Sequence, residues 1–123
     1  MSERPLVCLV DDDESVRESL PDLLKEFGFE VRPFSHAKAF LTSDCLALCD
    51  CLILDIAMPE MSGPDLQREL KRRGRDIPIV FITAHVDDRL RRVVLDLGAV
   101  TCLYKPFSQA DLLDAMHAAI PAQ

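Results

Sequence analysis

The sequence predicts an α/β fold, a parallel sheet with helices on both faces, and two observations carry that prediction. Short apolar runs alternate with amphipathic stretches five times along the 123 residues, with no repeat, linker or low-complexity segment between them. The runs are continuous and rich in β-branched residues, as strands buried on both faces require.

The first run is Leu6–Val10. From Glu14 to Phe27 the apolar residues Val16, Leu20, Leu23, Leu24 and Phe27 fall on one helical face, and Gly28 suits the end of that helix. Pro21 inside it removes a bond to the Arg17 carbonyl and predicts a bend. Phe29 to Pro33 reads as a weaker strand at a sheet edge, since Pro33 cannot donate to a ladder. Ser35 is placed to cap a second helix through Ala37, Phe40 and Leu41. Cys51–Leu54 is the third strand. Pro59, Ser62 and Gly63 mark a loop, and Pro64 opens a third helix through Leu66 and Leu70 to Gly74. Ile77 to Ile82 is the fourth strand, Asp87 to Leu97 the fourth helix and Thr101 to Tyr104 the fifth strand. Ser108 caps the last helix, which carries Leu112, Leu113, Met116 and Ile120.

At this length the chain reads as one domain, residues 1–123, able to form a core without staples. Whether it stands alone or is cut from a longer protein with an output domain beyond Gln123 stays open. No apolar run reaches membrane length, and the first residues lack the layout of an export signal, so a cytoplasmic location and no membrane partner are expected. A net charge of -7 argues against direct nucleic-acid binding. Arg68, Lys71, Arg72, Arg73 and Arg75 cluster only where they close a helix, as cations do. The five cysteines, Cys8, Cys45, Cys49, Cys51 and Cys102, read as reduced thiols without zinc-ligand spacing, with Cys8 and Cys51 as small core residues.

Carboxylates end two of the buried runs. Asp11, Asp12 and Asp13 follow Val10, and Asp55 follows Leu54. Two such charges about 4 Å apart repel by roughly 4 kcal/mol at an effective dielectric near 20, so a cation is required among them. In open parallel sheets ligands bind beyond the carboxyl ends of the strands, where Thr83 and Lys105 also fall. Two carboxylates for a hard cation, a carboxylate nucleophile, a hydroxyl and an ammonium suffice to move a phosphoryl group onto a carboxylate. Magnesium is the expected cation, held by Asp12, Asp55 and the Ala57 carbonyl, with Asp11 acting through water. Asp55 is the expected phosphoacceptor, with Thr83 and Lys105 on the other phosphoryl oxygens. Asp13 reads better as a helix cap than as a third ligand, Met58 and Met61 as filling the loop, and His85 as a loop residue at the mouth of the site.

Across nearly its whole length the chain resembles the receiver domain of a two-component response regulator. The strings that carry this are Val10-Asp11-Asp12-Asp13, Leu54-Asp55-Ile56-Ala57-Met58-Pro59-Glu60-Met61-Ser62-Gly63, Phe81-Ile82-Thr83-Ala84-His85, Gly98-Ala99 and Lys105-Pro106-Phe107. Gly28-Phe29-Glu30-Val31, Phe34 and Phe40-Leu41 add similarity to FixJ-type transcription regulators. The resemblance implies a flavodoxin-like (βα)5 sheet in the order 2-1-3-4-5, phosphorylation of Asp55 by a sensor histidine kinase, and a cis bond between Lys105 and Pro106. It implies a switch that controls an output such as transcription, and no enzyme acting on other substrates. It also implies a phosphorylation-dependent homodimer through the fourth helix, fifth strand and last helix. Arg89, Arg91 and Arg92 face Asp111 and Asp114 in that proposal, with Val94 and Tyr104 as apolar contacts. The family's switch aromatic falls three residues before the lysine, and here that position is Cys102. Two other classes fit the residues less well. A dehalogenase-type phosphatase needs an acid two residues after its nucleophile, where Asp55 has Ala57; a degenerate receiver used only for docking would not keep Asp12, Asp55, Thr83 and Lys105.

Overall fold

The computed structural model describes residues 4–121. Residues 1–3 and 122–123, which include the start of the segment read for an export signal and the chain end, lie outside the described residues. Five strands, β1 (Leu6–Val10), β2 (Glu30–Phe34), β3 (Cys51–Asp55), β4 (Ile79–Thr83) and β5 (Thr101–Tyr104), form one parallel sheet in the order β2-β1-β3-β4-β5. That is the flavodoxin-like order. The helices are α1 (Glu14–Glu26), α2 (Ala37–Leu41), α3 (Cys45–Leu48), α4 (Gly63–Arg72), α5 (Asp88–Asp96) and α6 (Gln109–Ala119). α3 is a single turn without a side-chain cap and has no counterpart among the helices expected from the sequence, so the expected fourth helix is α5 and the last is α6.

Alternation along the strands splits the core in two. Cys8, Val10, Leu52, Leu54, Ile79, Phe81 and Cys102 pack beneath α2, α4 and α5 through Phe40, Leu66, Leu70 and Val94. Val7, Leu9, Ile53, Val80 and Ile82 pack beneath α1 and α6 through Leu20, Leu24, Leu112 and Met116. Both faces of the central strands are dry, and that is why their sequences read as unbroken apolar runs. Gly28 stands at φ +98 just past α1, a left-handed residue that lets the chain leave the helix.

The caps explain most of the boundaries. Asp13, Ser62, Asp87 and Ser108 each accept a bond from the first turn of the following helix, and Ser62 with Asp65 completes a reciprocal capping box. The expected Ser35 cap is corrected: His36 is the cap of α2, its Nδ1 accepting from the Ala39 amide at 3.2 Å. β2 begins at Glu30 because the Phe29 amide closes the end of α1 on the Leu24 carbonyl, 3.0 Å away.

Gly63 has a different role from the loop marker it resembled. A Cβ there would lie 2.8 Å from the Phe81 ring and collide with the Asp55 carbonyl oxygen. The start of α4 therefore presses on the backbone that carries Asp55, and only glycine permits it. Gly63→Ala is expected to lower the free energy of unfolding by about 2 kcal/mol through forced displacement of α4. A urea midpoint equal to that of the wild type would contradict this packing.

Candidate functional site

All the strand ends that carry polar residues lie along one edge of the sheet. The ladder continues past the strands, with the Asp11 amide on the Phe34 carbonyl (3.1 Å), the Ile56 amide on the Ile82 carbonyl (3.2 Å) and the Lys105 amide on the Thr83 carbonyl (2.7 Å). β1 and β3 are direct neighbours, so Asp11 and Asp12 at the end of one meet Asp55 at the end of the other. Carboxylate oxygens of Asp11, Asp12 and Asp55 all lie within 4.8 Å of one another.

Their environments differ. Asp11 is fully buried, Asp55 is 5% exposed and Asp12 is exposed. Both Asp11 oxygens are occupied: Oδ1 accepts from the Asp13 amide and Oδ2 from Lys105 Nζ, each at 2.8 Å. Lys105 comes from the far side of the sheet, just past β5, and its side chain is itself largely covered. Burial, and then the negative charge of Asp11, push the Asp55 carboxyl up to about 7, against the opposing pull of Lys105. Asp13 is held below the usual carboxylate range by the Ser15 hydroxyl and amide that it caps.

Thr83 is buried at the end of β4, beside Asp55 through the Ile82–Asp55 register. Its hydroxyl is turned to its own loop, accepting from the His85 amide at 3.1 Å and donating to the His85 carbonyl at 3.3 Å. His85 itself is exposed, as is Ala57 on the loop after β3. Met58 and Met61 fill that loop from below. The Lys105–Pro106 bond is cis. Cys102 is buried beside Phe81, and Tyr104, two residues on, donates its hydroxyl to Asp88 at 3.1 Å.

One residue near the site escaped the sequence reading. Arg17, one turn into α1, donates from its guanidinium to the Asp11 carbonyl at 2.9 Å. In the sequence it is one of many charged residues on an amphipathic helix; its spacing from Asp13 is the only signal that it points back to the strand end.

The donor set tests well for a hard cation. It is all oxygen, it is crowded with like charge, and the carboxyl of Asp55 is pushed up by burial and by Asp11. The arrangement can therefore take up a divalent ion and, beside it, an oxyanion facing Lys105.

Comparison with known proteins agrees with the geometry. Residues 7–117 match the family model described as "Response regulator receiver domain". The chain is 44% identical over 121 residues to the response regulator protein TodT of Pseudomonas putida, covering 98% of this chain and 53% of that one. It superimposes on response regulator StyR with a TM-score of 0.88 at 45% identity, covering 96% of this chain and 60% of that one. It superimposes on FixJ-N with a TM-score of 0.85 at 34% identity, covering 96% and 94%. The chain spans about half the length of the curated relatives it matches. With five parallel strands in this order and a matched span that contains all three clustered carboxylates, the chain belongs to the response regulator receiver domain family.

Proposed function

We propose that the domain is a phosphorylation-controlled signalling switch that accepts a phosphoryl group on Asp55 from a sensor histidine kinase and controls an output such as transcription. The observation that carries this is the Asp11–Asp12–Asp55 cluster with Lys105 reaching into it. Asp55 is the nucleophile because it is the buried carboxylate that lacks the ion pair Asp11 has. Its oxygen attacks phosphorus, the bond to the kinase imidazole breaks, and the imidazole leaves and regains its proton from solvent. The ammonium of Lys105 faces one phosphoryl oxygen. Thr83 turns its hydroxyl from the His85 backbone to another. Magnesium, held by Asp12, Asp55 and the Ala57 carbonyl, with Asp11 through water, would neutralise charge on the phosphoryl oxygens. Asp11 suits the indirect place because both its oxygens already accept bonds.

The docking-only alternative has less support. A receiver without phosphoryl chemistry gains nothing from a buried carboxylate held near neutrality. Incubation with acetyl phosphate and magnesium, read by intact mass, separates the two. Wild type should gain one acid-labile phosphoryl group and Asp55→Asn none. Equal labelling of both would refute the assignment.

The elevated Asp55 carboxyl also sets a pH dependence. Its folded value, about 7, exceeds the ordinary value of 3.8, so between these the native state holds a proton that the unfolded state has lost. Metal-free stability should therefore fall as pH rises through that window. Asp55→Asn should flatten the fall and gain on the order of 1–2 kcal/mol over wild type at pH 8. Magnesium should raise the wild-type melting temperature at pH 8 and leave Asp55→Asn nearly unmoved. Parallel pH profiles for the two proteins would refute the role of Asp55.

The readout face is proposed to be α5, β5 and α6, closing a phosphorylation-dependent homodimer. Arg89, Arg92, Asp111 and Asp114 are exposed there, and none of them joins a described salt bridge. One expectation is corrected: Val94 is fully buried in the core and cannot contribute to such a face. Val86, 73% exposed just before α5, is the apolar residue available at that end, with half-buried Tyr104. Cys102 leaves little side chain to swing behind Thr83, so coupling to this face should be weak. Sedimentation with the phosphoryl mimic beryllofluoride should show a modest rise in dimer for wild type and a larger one for Cys102→Tyr. A monomer throughout would remove the dimer.

A further inference from the structure

The basic cluster towards the end of α4 is not uniform. Arg68 pairs with Asp65, and Arg72 and Arg73 both pair with Glu69. Lys71 and Arg75 join none of the described salt bridges. Both are exposed and line the mouth of a cavity of about 150 Å³. The cavity lies between α4 and the end of α5, at the amino end of β4. It is therefore at the opposite end of the sheet from Asp11, Asp12 and Asp55. Its walls are apolar: Leu70 from α4, Leu97 from the end of α5, and Ile77 and Ile79 at the start of β4.

One buried polar side chain stands among these walls. Gln67 is 3% exposed and also lines the cavity. Its Nε2 donates across to α5, to the Val94 carbonyl at 3.0 Å. That carbonyl already accepts from the Ala99 amide at 3.0 Å, so only a donor can face it, and the orientation of the Gln67 amide is fixed. Oε1 is left over. Among the described residues no group donates to it. A buried acceptor without a donor costs stability, and the N–H or O–H of an occupant recovers it. The cavity is large for a lone water, which needs only about 10–15 Å³ of such space, and about 150 Å³ of apolar cavity holds a six-membered ring. At the mouth two cations stand against one anion, Asp76, so the excess charge is positive.

We propose that this cavity is a binding site for a small ring carboxylate that carries a hydroxyl group on the far side of the ring. The hydroxyl donates to Gln67 Oε1. The ring packs among Leu70, Ile77, Ile79 and Leu97. The carboxylate meets Lys71 and Arg75 at the mouth, where a guanidinium suits it as a two-pronged donor. A rigid ring fits better than a flexible chain, because the acceptor and the cations are at opposite ends and a rigid spacer loses little freedom in reaching both. The occupant lies beside the Gln67–Val94 bond and so adds a second tie between α4 and α5.

The test titrates the full chain, labelled with nitrogen-15, with para-hydroxybenzoate and follows the Gln67 side-chain amide and the Gly98 backbone amide, both at the cavity. Both signals should move saturably, while Asp12 and Asp55 stay in place. Benzoate has the same ring and charge but no donor, and should bind about tenfold more weakly. Gln67→Leu should bind the two acids alike. The double variant Lys71→Ala with Arg75→Ala changes only exposed side chains and should weaken para-hydroxybenzoate about tenfold. If Gln67→Leu does not fold, the benzoate comparison in wild type and the double variant decide. No saturable movement of Gln67 and Gly98, benzoate binding as tightly as para-hydroxybenzoate, or an equal response to acetate would overturn the proposal.

Discussion

The ion pair between Lys105 and Asp11 is the contact on which the arrangement of this domain turns. A fully buried carboxylate costs several kcal/mol of desolvation unless it is paired. Here the pairing partner comes from just past β5, two strands beyond the neighbours of β1 in the sheet. The bond therefore links β1 to the end of β5 across the carboxyl edge on which β3 and β4 also end. One ammonium stands against three carboxylates, and the deficit falls on Asp55, whose carboxyl is pushed up by burial and by Asp11. A domain built for stability alone would have no reason to keep such a deficit. Such a deficit is what the proposed binding of a cation and an oxyanion would relieve.

The rest of the fold keeps that edge rigid and its surroundings adjustable. The glycine contact of α4 with the Asp55 backbone and the continued ladder past each strand hold the carboxylates in place. Thr83 is held more lightly, by two bonds to the backbone of its own exposed loop. Breaking those requires only a side-chain rotation. Behind it, Cys102 lies buried beside Phe81 where a ring would have two discrete packings, and Tyr104 is tied outward to Asp88. The physical expectation is a site that changes fully at its centre and transmits little through β5.

Much of this was legible in the sequence, for identifiable reasons. The central strands could be read because they are buried on both faces, and the acids could be read because a buried run does not end in like charges without cause. The positions that sequence missed depend on neighbours that are distant in the chain. Ser35 and His36 are both reasonable caps, and only the local geometry chose His36. α3 is one turn with no capping bond, too short to show a period. Val94 shares a short helix with Val93 and Leu95 and with Arg89, Arg91 and Arg92, and only the packing shows that it is the residue α5 buries. Arg17 and Gly63 are defined by what they touch, the Asp11 carbonyl and the Asp55 backbone, and no local pattern announces either.

The most direct measurement is the ionisation of Asp55 itself, followed by carbon-detected NMR of its carboxyl in a pH titration with and without magnesium. The account predicts a midpoint near 7 in the metal-free protein and a marked fall once magnesium is bound. A midpoint at the ordinary carboxylate value in the metal-free protein, unmoved by magnesium, would contradict it.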